Sequence, residues 1–227
     1  SNSSNQFIKN TILRLLGAIG SEKEINKYIE KFSSPEQRFA VIKVGGSVIE
    51  NDLENLISSL VFLNQVGLKP VILHGAGPML SAALEEKKID FSFINGQRVT
   101  SVEVRDVAQG IFEETNTKIV SALEAQGAPA KSLLSDIFQC SIEDPDLGYV
   151  GSIQSVNVQL VNEVLESDSI PVIAPIGFQD SEMLNINADI ATVELVKAIN
   201  PYKAIFLSET GGIFNKTGEL IPNINLA

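Results

Sequence analysis

Three glycine-rich turns carry the residues of this chain best suited to chemistry. They are Lys43-Val44-Gly45-Gly46, His74-Gly75-Ala76-Gly77-Pro78 and Ser208-Glu209-Thr210-Gly211-Gly212. Each comes directly after a short apolar run of strand type. Glycines let backbone N–H groups approach phosphate or carboxylate oxygens closely. Pro78 suits the first turn of a helix, whose N-terminus adds positive potential. None of the turns is a G-x-x-x-x-G-K-[ST] loop, and the His74 turn is not a full G-x-G-x-x-G. An anion or nucleotide site built on them must use another architecture.

Six residues could add side-chain chemistry. Lys43 interrupts an apolar strand just before two glycines. It reads either as a strand-end lysine reaching solvent or as an ammonium aimed at a transferring phosphoryl group, a reaction that needs charge neutralisation more than a covalent partner. Arg98, in Asn95-Gly96-Gln97-Arg98-Val99-Thr100, reads either as a surface arginine in a turn or as a two-pronged anchor for a carboxylate. In Leu184-Asn185-Ile186-Asn187-Ala188-Asp189, Asn187 suits a helix N-cap and Asp189 the positive end of the helix dipole. A carboxylate there could also hold lysines in place, and Asn185 could bind a substrate carboxylate or amide. His74 reads as a structural residue, because a carboxylate substrate is already ionised at neutral pH and needs no general base.

These positions need a frame, and the sequence alternates strand and helix signals. Apolar runs at 39–44, 70–73, 170–174 and 204–207 read as buried strands. Leu53, Leu56, Ile57, Leu60 and Leu63 repeat at helical spacing, residues 78–87 and 102–125 read as helices, and another runs from 188 to about 199. Residues 137–156 carry turn signals at Asp144-Pro145-Asp146 and Gly148, and read as a β-hairpin on the rim of the sheet. The expected class is α/β, a three-layer αβα sandwich around a mainly parallel sheet. Ligands in such sheets sit beyond the carboxyl ends of the strands, where all three glycine turns would lie. Two amphipathic helices precede this body. Ile12, Leu15, Leu16 and Ile19 form one stripe, and Ser21-Glu22-Lys23-Glu24 reads as the capping box of the second. Residues 1–36 are therefore expected to be a helical extension, and 37–227 the main domain.

Composition excludes several function classes. The net charge of -11 argues against nucleic acid, because binding a polyanion needs a basic face. No run approaches the roughly 18 apolar residues of a membrane span. One cysteine, Cys140, forbids an internal disulfide and fits a reducing compartment. One histidine rules out Cys/His zinc clusters, and no metal ligands are assigned.

Taken together, the glycine turns, Gly96-Gln97-Arg98-Val99-Thr100, Leu184 to Asp189 and Gly211-Gly212-Ile213 resemble the amino-acid kinase family. The resemblance runs from about Thr11 onward, and within the family it points to the acetylglutamate-phosphorylating branch. The opening helices and residues 39–43 look closest to the fungal-type mitochondrial kinases and the kinase domains of bifunctional acetylglutamate synthase/kinases. The resemblance implies ATP-dependent phosphorylation of N-acetyl-L-glutamate in arginine biosynthesis, with Mg²⁺ arriving on ATP. By matching position, Lys43 and Asp189 would be catalytic, Asp189 orienting lysines. Gly75, Ala76, Gly77, Arg98 and Asn185 would bind acetylglutamate. Lys43, Gly45, Gly46, Ser208, Gly211 and Gly212 would face ATP. It also implies a homo-oligomer through the N-terminal helices, arginine as a feedback inhibitor and a fused reductase or acetyltransferase domain. The compartment would be the mitochondrial matrix in a eukaryote and the cytoplasm in a bacterium. The chain ends before the family's second active-site lysine, so an incomplete ATP half is expected. A kinase-like regulatory module that senses arginine without transferring phosphate is the alternative, and a kinase for another acid such as aspartate a third reading.

Overall fold

Parallel pairing of short apolar strands builds the centre of the molecule. The computed structural model describes residues 38–207, residues 21, 23, 24, 26, 27 and 30, and a short strand at 224–225. The strands are β1 (Ala40–Val44), β2 (Pro70–His74), β3 (Phe93–Ile94), β4 (Gln97–Arg98), β5 (Ala130–Leu133), β6 (Phe138–Ser141), β7 (Ser152–Val156), β8 (Ile170–Ile173), β9 (Ile176–Gln179), β10 (Glu182–Asn185), β11 (Lys203–Leu207) and β12 (Ile224–Asn225). The helices are α1 (Gly46–Gln65), α2 (Gly77–Glu86), α3 (Val102–Ala125), α4 (Val158–Glu166) and α5 (Ala188–Ile199).

The main sheet runs β12-β11-β1-β2-β8-β5. Every pairing from β11 to β5 is parallel, and only β12 is antiparallel. Alternation along each strand sends neighbours to opposite faces. Ile42, Ile72, Val172 and Ile205 join residues of α1 and α3 in one core. Val41, Val71, Ile173 and Ala204 join residues of α4 and α5 in the other. Each fully buried aliphatic side chain contributes roughly 1.5–3 kcal/mol, so both faces hold their helices firmly. The three-layer α/β expectation is borne out.

A second sheet, β10-β9-β6-β7, lies over the α4–α5 side and contains the expected hairpin at β6–β7. Cys140 on β6 is buried where Gly151 and Gly177 leave room for its Sγ, and burial pushes the thiol up to about 11. It is an inert packing group. Helix α3 occupies the expected residues 102–125, capped by Ser101 Oγ, which accepts from the Val104 N–H. Helix α1 begins earlier than its apolar stripe, directly after Gly45, and passes a non-helical Asp52. Of the two opening helices, the capping box is seen: Ser21 N–H donates to Glu24 Oε2 at 3.0 Å, and Glu24 N–H to Ser21 Oγ at 3.3 Å. The stripe from Ile12 to Ile19 lies outside the described residues.

Candidate active site

Strand β1 delivers Lys43 to the carboxyl edge of the sheet, where the chain turns at a pair of glycines. The Gly45 N–H continues the ladder to the Leu207 carbonyl at 3.2 Å, and α1 starts at the next residue. On the neighbouring strand, the Gly75 N–H donates to the Val44 carbonyl at 2.8 Å, and α2 starts at Gly77. The two helix starts meet. A Cβ on Gly46 would lie 2.9 Å from Pro78 Cδ and 3.1 Å from both Ala76 Cα and Gly77 N. Only glycine allows that approach.

Neither α1 nor α2 has a side-chain cap. Their first-turn N–H groups therefore keep their positive potential for a ligand. Helix α5 starts at the same place but is capped. Asn187 Oδ1 accepts from the N–H groups of Asp189 and Ile190, at 2.9 and 3.1 Å. The Asn187 side chain also donates from Nδ2 to the Gly96 carbonyl at 3.2 Å, tying the β3–β4 hairpin to this helix. Asp189 leaves its first turn to meet Lys43, with Nζ and Oδ1 3.1 Å apart.

These elements enclose an open cavity of about 320 Å³. Its lining includes Lys43, Gly45, Gly46, Gly75, Ala76, Gly77, Arg98, Asn185 and Asp189. All nine of the sequence-predicted site residues that are described thus share one cavity. Ser208, Gly211 and Gly212 lie outside the described residues. His74 is not in the lining. It is fully buried, with Nε2 3.1 Å from Asn116 Nδ2, which also donates to the Val172 carbonyl at 3.0 Å. Burial lowers the His74 pKa to about 4, so the ring is neutral, with Nε2 as acceptor and the proton on Nδ1. The structural reading of His74 stands.

Arg98 is not the surface residue that one of its two readings allowed. It is 7% exposed. The β3–β4 hairpin turns through Asn95 and Gly96, both at positive φ, and folds Phe93 and Phe91 about the guanidinium. Its Cζ lies 4.7 Å from the Phe93 ring centroid and 4.8 Å from that of Phe91. Nη2 donates to Ser81 Oγ at 3.0 Å and to the Gly77 carbonyl at 3.4 Å. Nη1 is buried without a hydrogen-bond partner. Burial lowers the Arg98 pKa from its usual range, with no carboxylate to offset it. Asn185, 6% exposed, donates from Nδ2 to Thr100 Oγ1 at 3.2 Å.

Sequence reasoning missed several members of the site. Ser47 lines the cavity beside the glycines, and Leu80, Phe112 and Pro175 form an apolar wall. Ser81, Phe91 and Phe93 hold Arg98. A hydroxyl straight after Gly45-Gly46 was the available signal for Ser47. The others come from elements far apart in sequence, and nothing local marked them. Ala76, whose methyl stands out in a glycine-rich turn, is buried with Leu80 and Phe112. Among the described residues, no group of three or more His, Cys, Asp or Glu side chains is placed to hold a metal ion.

The model of the amino acid kinase family matches residues 38–227. The chain belongs to the amino acid kinase family. The chain is 44% identical over 212 residues to an acetylglutamate kinase of Xanthomonas campestris pv. campestris, a match covering 92% of this chain and 50% of the relative. It is 38% identical over 208 residues to an acetylglutamate kinase of Campylobacter jejuni subsp. doylei, covering 88% of this chain and 74% of the relative. It is 39% identical over 222 residues to the Candida albicans protein named ARG5,6, mitochondrial, covering 96% of this chain and 26% of that one. The chain thus spans about half the length of the Xanthomonas relative and about a quarter of the fungal one. Among solved structures, smu.665 from Streptococcus mutans UA159 superposes with a TM-score of 0.71 at 27% identity, covering 75% of this chain and 72% of that one. N-acetylglutamate synthase from Neisseria gonorrhoeae, complexed with coenzyme A and L-arginine, superposes at 0.72 with 20% identity, over 87% of this chain and 49% of that one. At that identity the likeness concerns the fold alone. The resemblance carried by the glycine turns is borne out.

Proposed function

We propose that this chain is the substrate-binding part of an ATP-dependent acetylglutamate kinase, which phosphorylates the side-chain carboxylate of N-acetyl-L-glutamate. The observation that carries this reading is the convergence of Lys43, two uncapped helix N-termini and a buried, partly unpaired Arg98 on one cavity. Anionic ends at both sides of a ligand match that layout. Arg98 and Asn185 take the α-carboxylate and amide end, and the N–H groups around Gly75, Ala76 and Gly77 take the reacting carboxylate. Lys43, beside Gly45 and Gly46, faces the transferring phosphoryl group and neutralises charge there. Asp189 orients the Lys43 ammonium.

ATP is the expected phosphoryl donor, with Ser208, Gly211 and Gly212 toward the nucleotide. Mg²⁺ would then be carried by phosphate oxygens, as is usual for an ion that prefers substrate phosphates to all-protein cages. The names of the Candida albicans relative and of a bifunctional Dictyostelium discoideum relative, both called mitochondrial, favour a mitochondrial location in a eukaryotic source, and the second favours a further domain in the same polypeptide. A non-catalytic arginine sensor has no need of the Lys43–Asp189 pair, which favours the kinase. Homo-oligomerisation through the N-terminal helices, with arginine acting as inhibitor, remains part of the proposal.

The test is ADP release by the full-length protein with N-acetyl-L-glutamate, L-glutamate and L-aspartate as acceptors. Turnover with acetylglutamate, and much less with the two free amino acids, is expected. Acetylglutamate binding with no ADP release would favour the sensor.

A further inference from the structure

We propose that Thr100 is a positioning residue that fixes which end of the Asn185 side-chain amide faces the substrate. Thr100 is fully buried, and its hydroxyl is in use on both sides. Oγ1 donates to the Arg98 carbonyl at 2.8 Å and accepts from Asn185 Nδ2 at 3.2 Å. A hydroxyl has one proton. With that proton committed to Arg98, Thr100 can only accept from Asn185. The amide must then turn Nδ2 toward Thr100, which leaves Oδ1 and the second Nδ2 proton for a ligand. A flipped amide would set two acceptors against each other.

The backbone reinforces this geometry. Residues 147–151 run between the two positions as a strap. The Thr100 N–H donates to the Leu147 carbonyl at 2.8 Å, and the Tyr149 N–H to the Thr100 carbonyl at 2.8 Å. On the other side, the Asn185 N–H donates to the Tyr149 carbonyl and the Gly151 N–H to the Asn185 carbonyl, both at 2.9 Å. Gly148 sits at φ 72, and a Cβ there would overlap the Thr100 carbonyl oxygen, so the strap lies flat against Thr100 only as glycine. Outside, Arg105 covers the Tyr149 ring, its Cζ 4.4 Å from the centroid, and pairs with Glu182 on β10 at 2.6 Å. Arg98 and Asn185, which come from different sheets, are thereby linked by a hydroxyl that touches both and by a strap that ties Thr100 to Asn185. A fixed separation and a fixed amide orientation select an acceptor of one length carrying an N–H beside its carboxylate.

The inference rests on the kinase reading above, and steady-state kinetics of the full-length protein separate the two. Thr100→Val keeps the shape and deletes the hydroxyl. It is expected to raise KM for acetylglutamate about tenfold, the scale of one hydrogen bond, with kcat and KM for ATP within about twofold. Thr100→Ser restores the hydroxyl and is expected to return KM to within about twofold of wild type. In an Asn185→Ala background, Thr100→Val should change KM less than about twofold, because the amide it orients is gone. Should Thr100→Val be isolated unfolded, Thr100→Ala, which adds no apolar atom, takes its place with the same expected split. An unchanged KM, an equal tenfold effect in the Asn185→Ala background, or a parallel loss in kcat and KM for ATP overturns the role. A wild-type protein inactive on acetylglutamate overturns the kinase reading, and this inference with it. An active wild type with an unaffected Thr100→Val overturns the role of Thr100 alone.

Discussion

Replacing Arg98 by methionine should weaken acetylglutamate binding severely while leaving the fold almost as stable as before. The side chain is 7% exposed, bonded to Ser81 Oγ and the Gly77 carbonyl, and flanked by two phenylalanine rings. Losing a hydrogen bond to a charged group costs about 1.5–3 kcal/mol, and each ring contact adds roughly 0.5–1 kcal/mol. Against this stands the cost of burying a charge with no carboxylate beside it and one nitrogen unpaired, several kcal/mol per ion. Methionine fills a similar volume and adapts to irregular gaps. The two sides nearly cancel, so the stability change should lie within about 2 kcal/mol. Affinity has no such offset. Removing a buried partner of a carboxylate costs on the order of 2–5 kcal/mol, so Kd should rise at least about 30-fold. Calorimetric titration with acetylglutamate and urea unfolding, both on the full-length protein, measure the two quantities. A variant that binds normally but loses more than about 3 kcal/mol of stability would refute the reasoning, since Arg98 would then be a structural post.

Four further outcomes are expected. Lys43→Ala should cut turnover at least ~10²-fold, the scale of one transition-state charge contact, and normal turnover in single-turnover kinetics would remove Lys43 from the reaction. Asp189→Asn keeps the helix start but releases the ammonium of Lys43, so kcat should fall about 10²-fold, the scale of misplacing one positioned group, with KM for acetylglutamate nearly unchanged; a pure KM effect would place Asp189 on the substrate instead. His74 has a folded pKa of about 4 against 6.5 unfolded, so the unfolded chain takes up the extra proton between these values. The stability tied to its neutral state is complete above about pH 6.5 and falls by about 3 kcal/mol as pH drops toward 4; His74→Asn should flatten that slope in urea midpoints measured at pH 7 and pH 5. Gly46→Ala should force α1 and α2 apart by a few tenths of an ångström and weaken acetylglutamate and ATP together, which parallel KM measurements would show.

Much of the frame was legible because the buried strands are unbroken apolar runs and α3 keeps its period and its serine cap. Strand β5 was not legible. Its sequence Ala130-Lys131-Ser132-Leu133 is half polar, because it is an edge strand with one side partly exposed. Strand β9 escaped because Pro175 directly precedes it and Gly177 interrupts it, and β10 because its exposed Glu182 and buried Leu184 give too short a pattern to separate from the helix start just beyond it. In the site, the glycine turns and Lys43 announced themselves by composition at strand ends, and Asp189 by its place just inside a helix start. The burial of Arg98 did not, since a charged side chain becomes a core residue only when Ser81, Phe91 and Phe93 arrive from other elements. Thr100 stood inside a legible motif, but the double use of its hydroxyl depends on the strap at 147–151, nearly fifty residues downstream.

The meeting of α1 and α2 at Gly46 also bears on how such a site can change over generations. Donors that belong to the main chain cannot be deleted by a codon change, since every residue but proline supplies the same N–H. Substitution of Gly46 therefore alters spacing and leaves polarity alone, and it is opposed by crowding against Ala76, Gly77 and Pro78. Arg98, Asn185 and the apolar wall carry no such protection, because their contribution is written in the side chain. Drift toward new acids would thus begin at the β3–β4 hairpin and β10, with the anion cradle inherited intact.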